Sequence, residues 1–229
     1  MTIAAAPRGR FLSFEGVDGS GKTTQLERLA RRLRASGFAV VATREPGGTE
    51  LGRRLRALLL RPGQPAIGAW TELLLYVADR SQHVSEVVLP ALARGAIVLS
   101  DRYLDATLAY QGHGRGLDLG AILELHRQPP LHLRPERTVL LDVDAGTGLG
   151  RARRRDGTSG AAAREGRFEA ERLDFHERVR AGYLRIAHDW PERVRTVDAR
   201  GEAAEVEARV WDAVSDLFGT AVPAAGERR

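Results

Sequence analysis

The chain has 229 residues, 43% of them hydrophobic and 28% charged, and no cysteine. That composition is globular and long enough to bury about 70–75% of its unfolded surface without covalent staples; it excludes disulfide scaffolds, thiol nucleophiles and cysteine-based zinc sites. Thirty-five Lys plus Arg against 30 acids give a formal +5, but the arginines interleave with acids, as in AERLDFHERVR (170–180), so most read as solvated helix faces and not as a nucleic-acid surface.

Only one of those 35 cations is lysine, Lys22; the other 34 are arginine. No stretch reaches the roughly 18 apolar residues of a membrane span. The opening MTIAAAPRGR lacks the apolar core of a secretory signal, so none is expected.

In chain order, RFLSFE (10–15) is a short apolar run ended by glycine and predicts a buried strand. From Thr23 the apolar residues Leu26, Leu29 and Leu33 recur at helical spacing until Ser36-Gly37. Residues 38–44 predict a second strand, EPGG a turn, and 49–60 a helix. A helical pattern covers 70–94, with Pro90 as a kink or new start. Residues 96–101 predict a third strand, then helices over 104–111 and 119–127 separated by a GHGRG loop. A fourth strand (138–144), a helix (149–155), a Gly/Ala/Ser-rich linker (156–166) and a long amphipathic helix (168–188) follow. A fifth strand (193–199) and a last helix (202–218) complete the pattern, with tails 1–8 and 219–229 expected to be flexible. Strands alternating with helices predict an α/β fold: one doubly wound, five-stranded parallel sheet in a single domain, its ligands beyond the C-terminal strand ends.

Gly16-Val17-Asp18-Gly19-Ser20-Gly21-Lys22-Thr23 matches G-x-x-x-x-G-K-[ST] after a predicted strand and before a predicted helix. Glycines let backbone N–H groups turn toward phosphate oxygens, and the helix N-terminus adds partial positive charge. Lys22 offers a compact ammonium to the β/γ-phosphates and Thr23 a hydroxyl to Mg²⁺. A planar guanidinium is a poor substitute there, which accounts for the surviving lysine. With Lys22 committed, no second lysine exists for the N-K-x-D motif of guanine-reading switches. The motif alone says nucleotide phosphate, not which base or reaction.

Three further segments narrow the reading: TREPGGT (43–49), YVADR (76–80) and DRYLDATLAYQG (101–112). Together with the P-loop and the late RFE (167–169), they resemble the bacterial thymidylate kinases, from about Phe11 to the last helix. The resemblance implies a P-loop NTPase fold with a mobile lid over about 151–168. It implies ATP- and Mg²⁺-dependent phosphorylation of dTMP to dTDP by a cytoplasmic homodimer, with no membrane or nucleic-acid partner. It places Asp101 with Thr23 at the metal and Arg102 on the acceptor phosphate. Glu45, Pro46, Arg56, Tyr76, Arg80, Thr107, Tyr110 and Gln111 then line the dTMP site, Tyr76 standing where the family usually has phenylalanine. Tyr76 and Arg80 lie four apart, as do Thr107 and Gln111, so each pair shares a helix face.

Phosphoryl transfer needs cations on the moving charge. The P-loop variable positions carry none, so the lid is expected to supply them, from Arg153 or Arg154 together with Arg167. None of the six histidines shows metal spacing. Another nucleotide kinase on the same scaffold is the nearer alternative. A nucleotide-dependent regulator or nucleic-acid-binding ATPase is the alternative from a different class.

Overall fold

A computed structural model describes residues 9–61, 66–158, 167–168 and 171–219. Five strands, β1 (Arg10–Glu15), β2 (Val40–Arg44), β3 (Ile97–Asp101), β4 (Arg137–Asp142) and β5 (Val194–Asp198), form one parallel sheet in the order β2-β3-β1-β4-β5. The helices are α1 (Lys22–Ala35), α2 (Glu50–Leu60), α3 (Ala69–His83), α4 (Leu89–Ala93), α5 (Leu104–Thr107), α6 (Leu119–Leu125), α7 (Ala145–Thr158), α8 (Leu173–Asp189) and α9 (Ala203–Val214). Helices α1 and α9 cover one face of the sheet; α8, with α4 and α5, covers the other.

The central strand β1 is buried from Phe11 to Glu15, covered on both faces, with Phe11, Leu12 and Phe14 supplying its apolar side chains. Leu26, Leu29, Ala30 and Leu33 form the buried stripe of α1. This helix starts from Gly21 in the left-handed region (φ 94°), with no capping side chain and no acid in its first turn. Its leading N–H groups are therefore left for a ligand at the C-terminal end of β1. At this end the chain leaves β1 toward β2 on one side and leaves β3 toward β4 on the other, so β1 and β3 flank the switch point where such sheets bind ligands.

Pro90 marks a new start, as expected: it lies in the first turn of α4, and the π-helical segment Val84–Val88 bridges α3 to it, with Leu89 N–H donating to Val84 O. Widening the turn accommodates a proline that has no N–H of its own. Three other expectations are corrected. The GHGRG segment is mostly not a loop, because a second π-helical segment, Leu108–Gly114, continues α5. Its glycines serve packing: a Cβ on Gly114 would lie 2.8 Å from the Phe175 ring. Helix α7 starts at Ala145, where Asp144 Oδ1 accepts from Thr147 N–H, and extends through Thr158 into the expected linker. Finally, Phe168 lies in a turn and α8 begins only at Leu173. The rest of the linker (159–166) and the expected tails, apart from Gly219, lie outside the described residues.

Behind the sheet lies a buried polar cluster. Arg193 donates to both oxygens of Asp105 (2.6 and 2.8 Å) and to Thr138 Oγ1, which also donates to Asp105. Asp105 is fully enclosed, so removing its cation strands a carboxylate. Arg193→Met is expected to cost about 3–5 kcal/mol in urea unfolding. Adding Asp105→Asn to it should recover a large part of that loss.

Candidate active site

A cleft of about 330 Å³ opens at the C-terminal end of the sheet. It is lined by Asp18, Gly19, Gly21, Lys22 and Thr23 from the P-loop and by Asp101 and Arg102 from the end of β3. Arg44, Glu45, Pro46, Arg56, Tyr76, Arg80, Thr107, Tyr110 and Gln111 complete the wall. Donor-side and acceptor-side residues therefore converge on one space. Leu60, Ala106 and Phe168 join them without having been singled out from the sequence. Gly16, Val17 and Ser20 form the underside of the loop; Ser20 Oγ is buried without a partner among the described residues.

Lys22 Nζ donates to Gly16 O (3.0 Å) and Val17 O (2.9 Å). Burial, then Arg102, pull its pKa down to about 8. An arriving phosphate would reverse both effects by supplying negative charge. Thr23 Oγ1 donates to Asp101 Oδ2 at 2.6 Å, so a hydroxyl and a carboxylate meet at the P-loop helix. These hard oxygen donors suit Mg²⁺, which takes one or two protein oxygens and fills the rest of its shell from phosphates and water. No cluster of three His or acidic residues that would form a complete protein cage occurs among the described residues.

Arg102 has φ 73°, the only left-handed non-glycine among the described residues. Its backbone N–H donates to Phe14 O, which holds that costly conformation and turns the side chain back over the P-loop. The guanidinium donates to Asp18 Oδ1 (2.6 Å), Tyr110 Oη (3.1 Å) and Tyr183 Oη (3.2 Å). Tyr110 Oη donates to the other Asp18 oxygen at 2.9 Å. Burial alone would raise the Asp18 pKa, but Arg102 and Lys22 overcome it and hold the carboxyl at about 2. Beneath them, Glu15 accepts from Tyr103 N–H (2.7 Å) and Tyr183 O–H (2.9 Å). Burial and then Asp105 push Glu15 up to about 8.

The acceptor end is built on α3. Arg80, 1% exposed, donates from Nε to Glu45 Oε2 (2.7 Å) and from Nη1 to Thr107 Oγ1 (3.0 Å) and His126 Nε2 (2.8 Å). Both Glu45 oxygens are occupied, the second by His83 Nδ1 (2.8 Å), so Glu45 orients Arg80 more than it offers a ligand contact. Arg56 Nη1 donates to Pro46 O at the cleft rim. Tyr76 lies on the cleft wall, its phenol kept neutral by burial, then by Glu72.

The proposed lid arginines do not enter the cleft. Arg153 and Arg154 lie exposed on α7. Arg167 Nη2 donates to Glu72 Oε2 (2.5 Å) and its Nη1 to Leu59 O (3.0 Å), which anchors Phe168 at the wall. Glu72, His126 and Glu15 were missed in the sequence. Glu72 did leave a signal: it sits four and eight residues before Tyr76 and Arg80, an acid on the same helical face.

A strand–P-loop–helix unit facing a second, deeply buried set of donors and aromatics defines a P-loop nucleotide kinase. Residues 14–210 match the family model for thymidylate kinase. The chain is 51% identical over 208 residues to a thymidylate kinase of Syntrophotalea carbinolica, covering 91% of this chain and 96% of that one. It is 50% identical over 208 residues to one of Solidesulfovibrio magneticus, covering 91% and 100%. The crystal structure of thymidylate kinase from Ehrlichia chaffeensis superimposes with a TM-score of 0.72 at 32% identity, over 90% of this chain and 98% of that one. The chain belongs to the thymidylate kinase family.

Two outcomes follow from this geometry. Lys22→Arg is expected to fold normally and lose about 10²-fold or more in kcat, as when a preorganised charge donor is removed; turnover within threefold of the unsubstituted protein, measured by coupled assay, would reject the role. His126 Nδ1 donates to Ile122 O, leaving Nε2 to accept from Arg80. Burial, then Arg80, lower its pKa from 6.5 to about 4. The unfolded chain takes up this proton first, so stability is lost as pH falls from 6.5 toward 4. His126→Asn should remove that component: the stability gap between the two proteins at pH 7 should narrow by about 2 kcal/mol at pH 5.

Proposed function

We propose that the chain transfers the γ-phosphoryl group of ATP to dTMP, giving dTDP, in the cytoplasm and as a single kinase domain. The observation that carries this reading is the convergence of Lys22 and Thr23 with Arg102, Tyr76, Arg80 and Tyr110 on one cleft. ATP phosphates bind the P-loop, where Lys22 exchanges the Gly16 and Val17 carbonyls for phosphate oxygens. Thr23 and Asp101 would hold Mg²⁺, which would supply positive charge to the phosphates. Arg102 takes the acceptor phosphate; its fixation by Asp18, Tyr110 and Tyr183 means little orientation is lost on binding. Tyr76 stacks on the pyrimidine, Tyr110 packs at the sugar, and Arg80, Thr107 and Gln111 meet the base edge.

Further charge on the moving phosphoryl group comes from α7. This helix packs on the P-loop: a Cβ on Gly148 would lie 2.6 Å from Asp18 O. Arg153 and Arg154 stand little more than one turn beyond that contact. Arg153→Ala and Arg154→Ala identify the contributor: one of them should lower kcat at least tenfold with little change in KM for dTMP. If neither lowers kcat, α7 supplies no such charge.

With ATP and Mg²⁺, dTMP should be phosphorylated with kcat/KM at least tenfold above dCMP and UMP. Equal turnover of all three would sink the assignment. Stimulation of ATP hydrolysis by DNA or RNA without a monophosphate would favour the ATPase alternative.

A homodimer is supported by one apolar face. Leu51 and Leu58 on α2 and Trp70 and Leu74 on α3 are 44–52% exposed on packed neighbouring helices. Light scattering should give twice the 25.0 kDa chain mass, and Leu74→Glu should shift it toward the monomer.

A further inference from the structure

The orientation of one amide sets the polarity of the base edge of the cleft. Gln111 Nε2 donates to Glu72 Oε1 at 2.9 Å. Glu72 is fully enclosed and does not line the cleft, whereas Gln111 does. Its carboxylate also accepts from Arg115 Nε and Nη2 (both 3.3 Å) and from Arg167 Nη2 (2.5 Å). A carboxylate held by two guanidinium groups accepts only, so the Gln111 amide must turn its NH₂ toward Glu72. Its carbonyl Oε1 is then the free edge, with no partner among the described residues. Arg80, bonded to Thr107 four residues before Gln111, has spent Nε and Nη1, leaving the donor Nη2.

We infer that Glu72 is a positioning residue for base specificity: it fixes Gln111 as an acceptor beside the donor of Arg80. This rests on the proposed dTMP reading and explains how that site rejects cytosine. A thymine presents an acceptor, O4, next to a donor, N3–H, which complements the pair. A cytosine presents the reverse, a donor amine next to the acceptor N3, and meets like groups at both positions. Uracil shares the thymine edge, so this device separates the keto pyrimidines from cytosine and leaves the methyl and the sugar to other residues. Three donors on Glu72 from outside α3 are needed because a mobile amide would offer either edge at little cost.

The test is a substitution that reverses the polarity. In Glu72→Gln the new amide oxygen stays at the Oε2 position, where Arg115 Nη2 and Arg167 Nη2 both donate, so its NH₂ takes the Oε1 position facing residue 111 and gives up the single 3.3 Å contact with Arg115 Nε. Gln111 then turns its carbonyl inward and its own NH₂ to the cleft. The dTMP kcat/KM should fall tenfold or more while the dCMP value holds or rises, so the dTMP/dCMP ratio drops at least tenfold. The exchanged pair Glu72→Gln with Gln111→Glu returns an acceptor to the cleft and should recover most of the ratio. A purely structural Glu72 would lower both substrates by one factor, and that outcome, or a pair that recovers nothing, overturns the inference. Should Glu72→Gln fail to fold, Gln111→Met gives the second reading, since Arg115 and Arg167 still neutralise Glu72. It should cut the ratio at least tenfold; an unchanged ratio overturns the inference. An unsubstituted protein that turns over dCMP as well as dTMP defeats both readings, whereas a dTMP preference indifferent to these substitutions defeats this inference alone.

Discussion

The pairing of Asp18 with Arg102 is the contact on which the rest of the site depends. Asp18 belongs to the P-loop, where we place the donor nucleotide; Arg102 follows the neighbouring strand β3, where we place the acceptor phosphate. At 2.6 Å, with side chains about one-fifth exposed, this is an ion pair that solvent only partly screens. It fixes the separation of the two halves of the reaction before either substrate arrives. Tyr110 joins the two partners by bonding to both, and Tyr183 carries the tie down to Glu15 at the end of the central strand. The left-handed backbone at Arg102 is the conformational cost, held by one backbone hydrogen bond to β1.

Helix α3 plays the same part for the other end of the cleft. Glu72, Asp79, Arg80 and His83 are all enclosed on one helix, a density of buried charge that needs partners at every position. Those partners come from elsewhere: Glu45 and Thr43 beside β2, Thr107 and His126 around α5 and α6, Gln111 and Arg115 on the π-helical segment, and Arg167 near α8. This end of the cleft is thus less a surface of α3 than the meeting point of five segments that supply partners to Glu72, Arg80 and His83, while Asp79 accepts from Gly47 N–H.

Local chemistry was legible in the sequence; the supporting networks were not. Strand β1 matches its expectation residue for residue because Phe11, Leu12 and Phe14, closed by a glycine, mark a strand covered on both faces. The P-loop and the Asp101-Arg102 pair were readable because each is contiguous. The GHGRG segment misled because glycine signals a break and a close approach equally well; here Gly114 lies against Phe175. The start of α7 was hidden by Gly146 and Gly148, whose low helix propensity outweighed the capping Asp144. Glu45, His126 and Glu72 act in the cleft through partners 35 to 95 positions distant, and no local pattern encodes such pairs. The lid arginines illustrate the same limit: a P-loop without a cation pointed to them for the moving phosphoryl charge, but Arg167 is bonded to Glu72, 95 residues away.

The solitary lysine gives the chain a chemical peculiarity. Its one ε-amino group is 7% exposed at the floor of the cleft, and every other side-chain cation is a guanidinium. The outer surface therefore offers no lysine to acylating reagents, to acetyl donors or to enzymes that build isopeptide bonds. Any modification of lysine in this protein is a modification of the phosphate cradle. A reagent that reaches it reports cleft access, and a nucleotide that fills the cleft shields the only lysine there is.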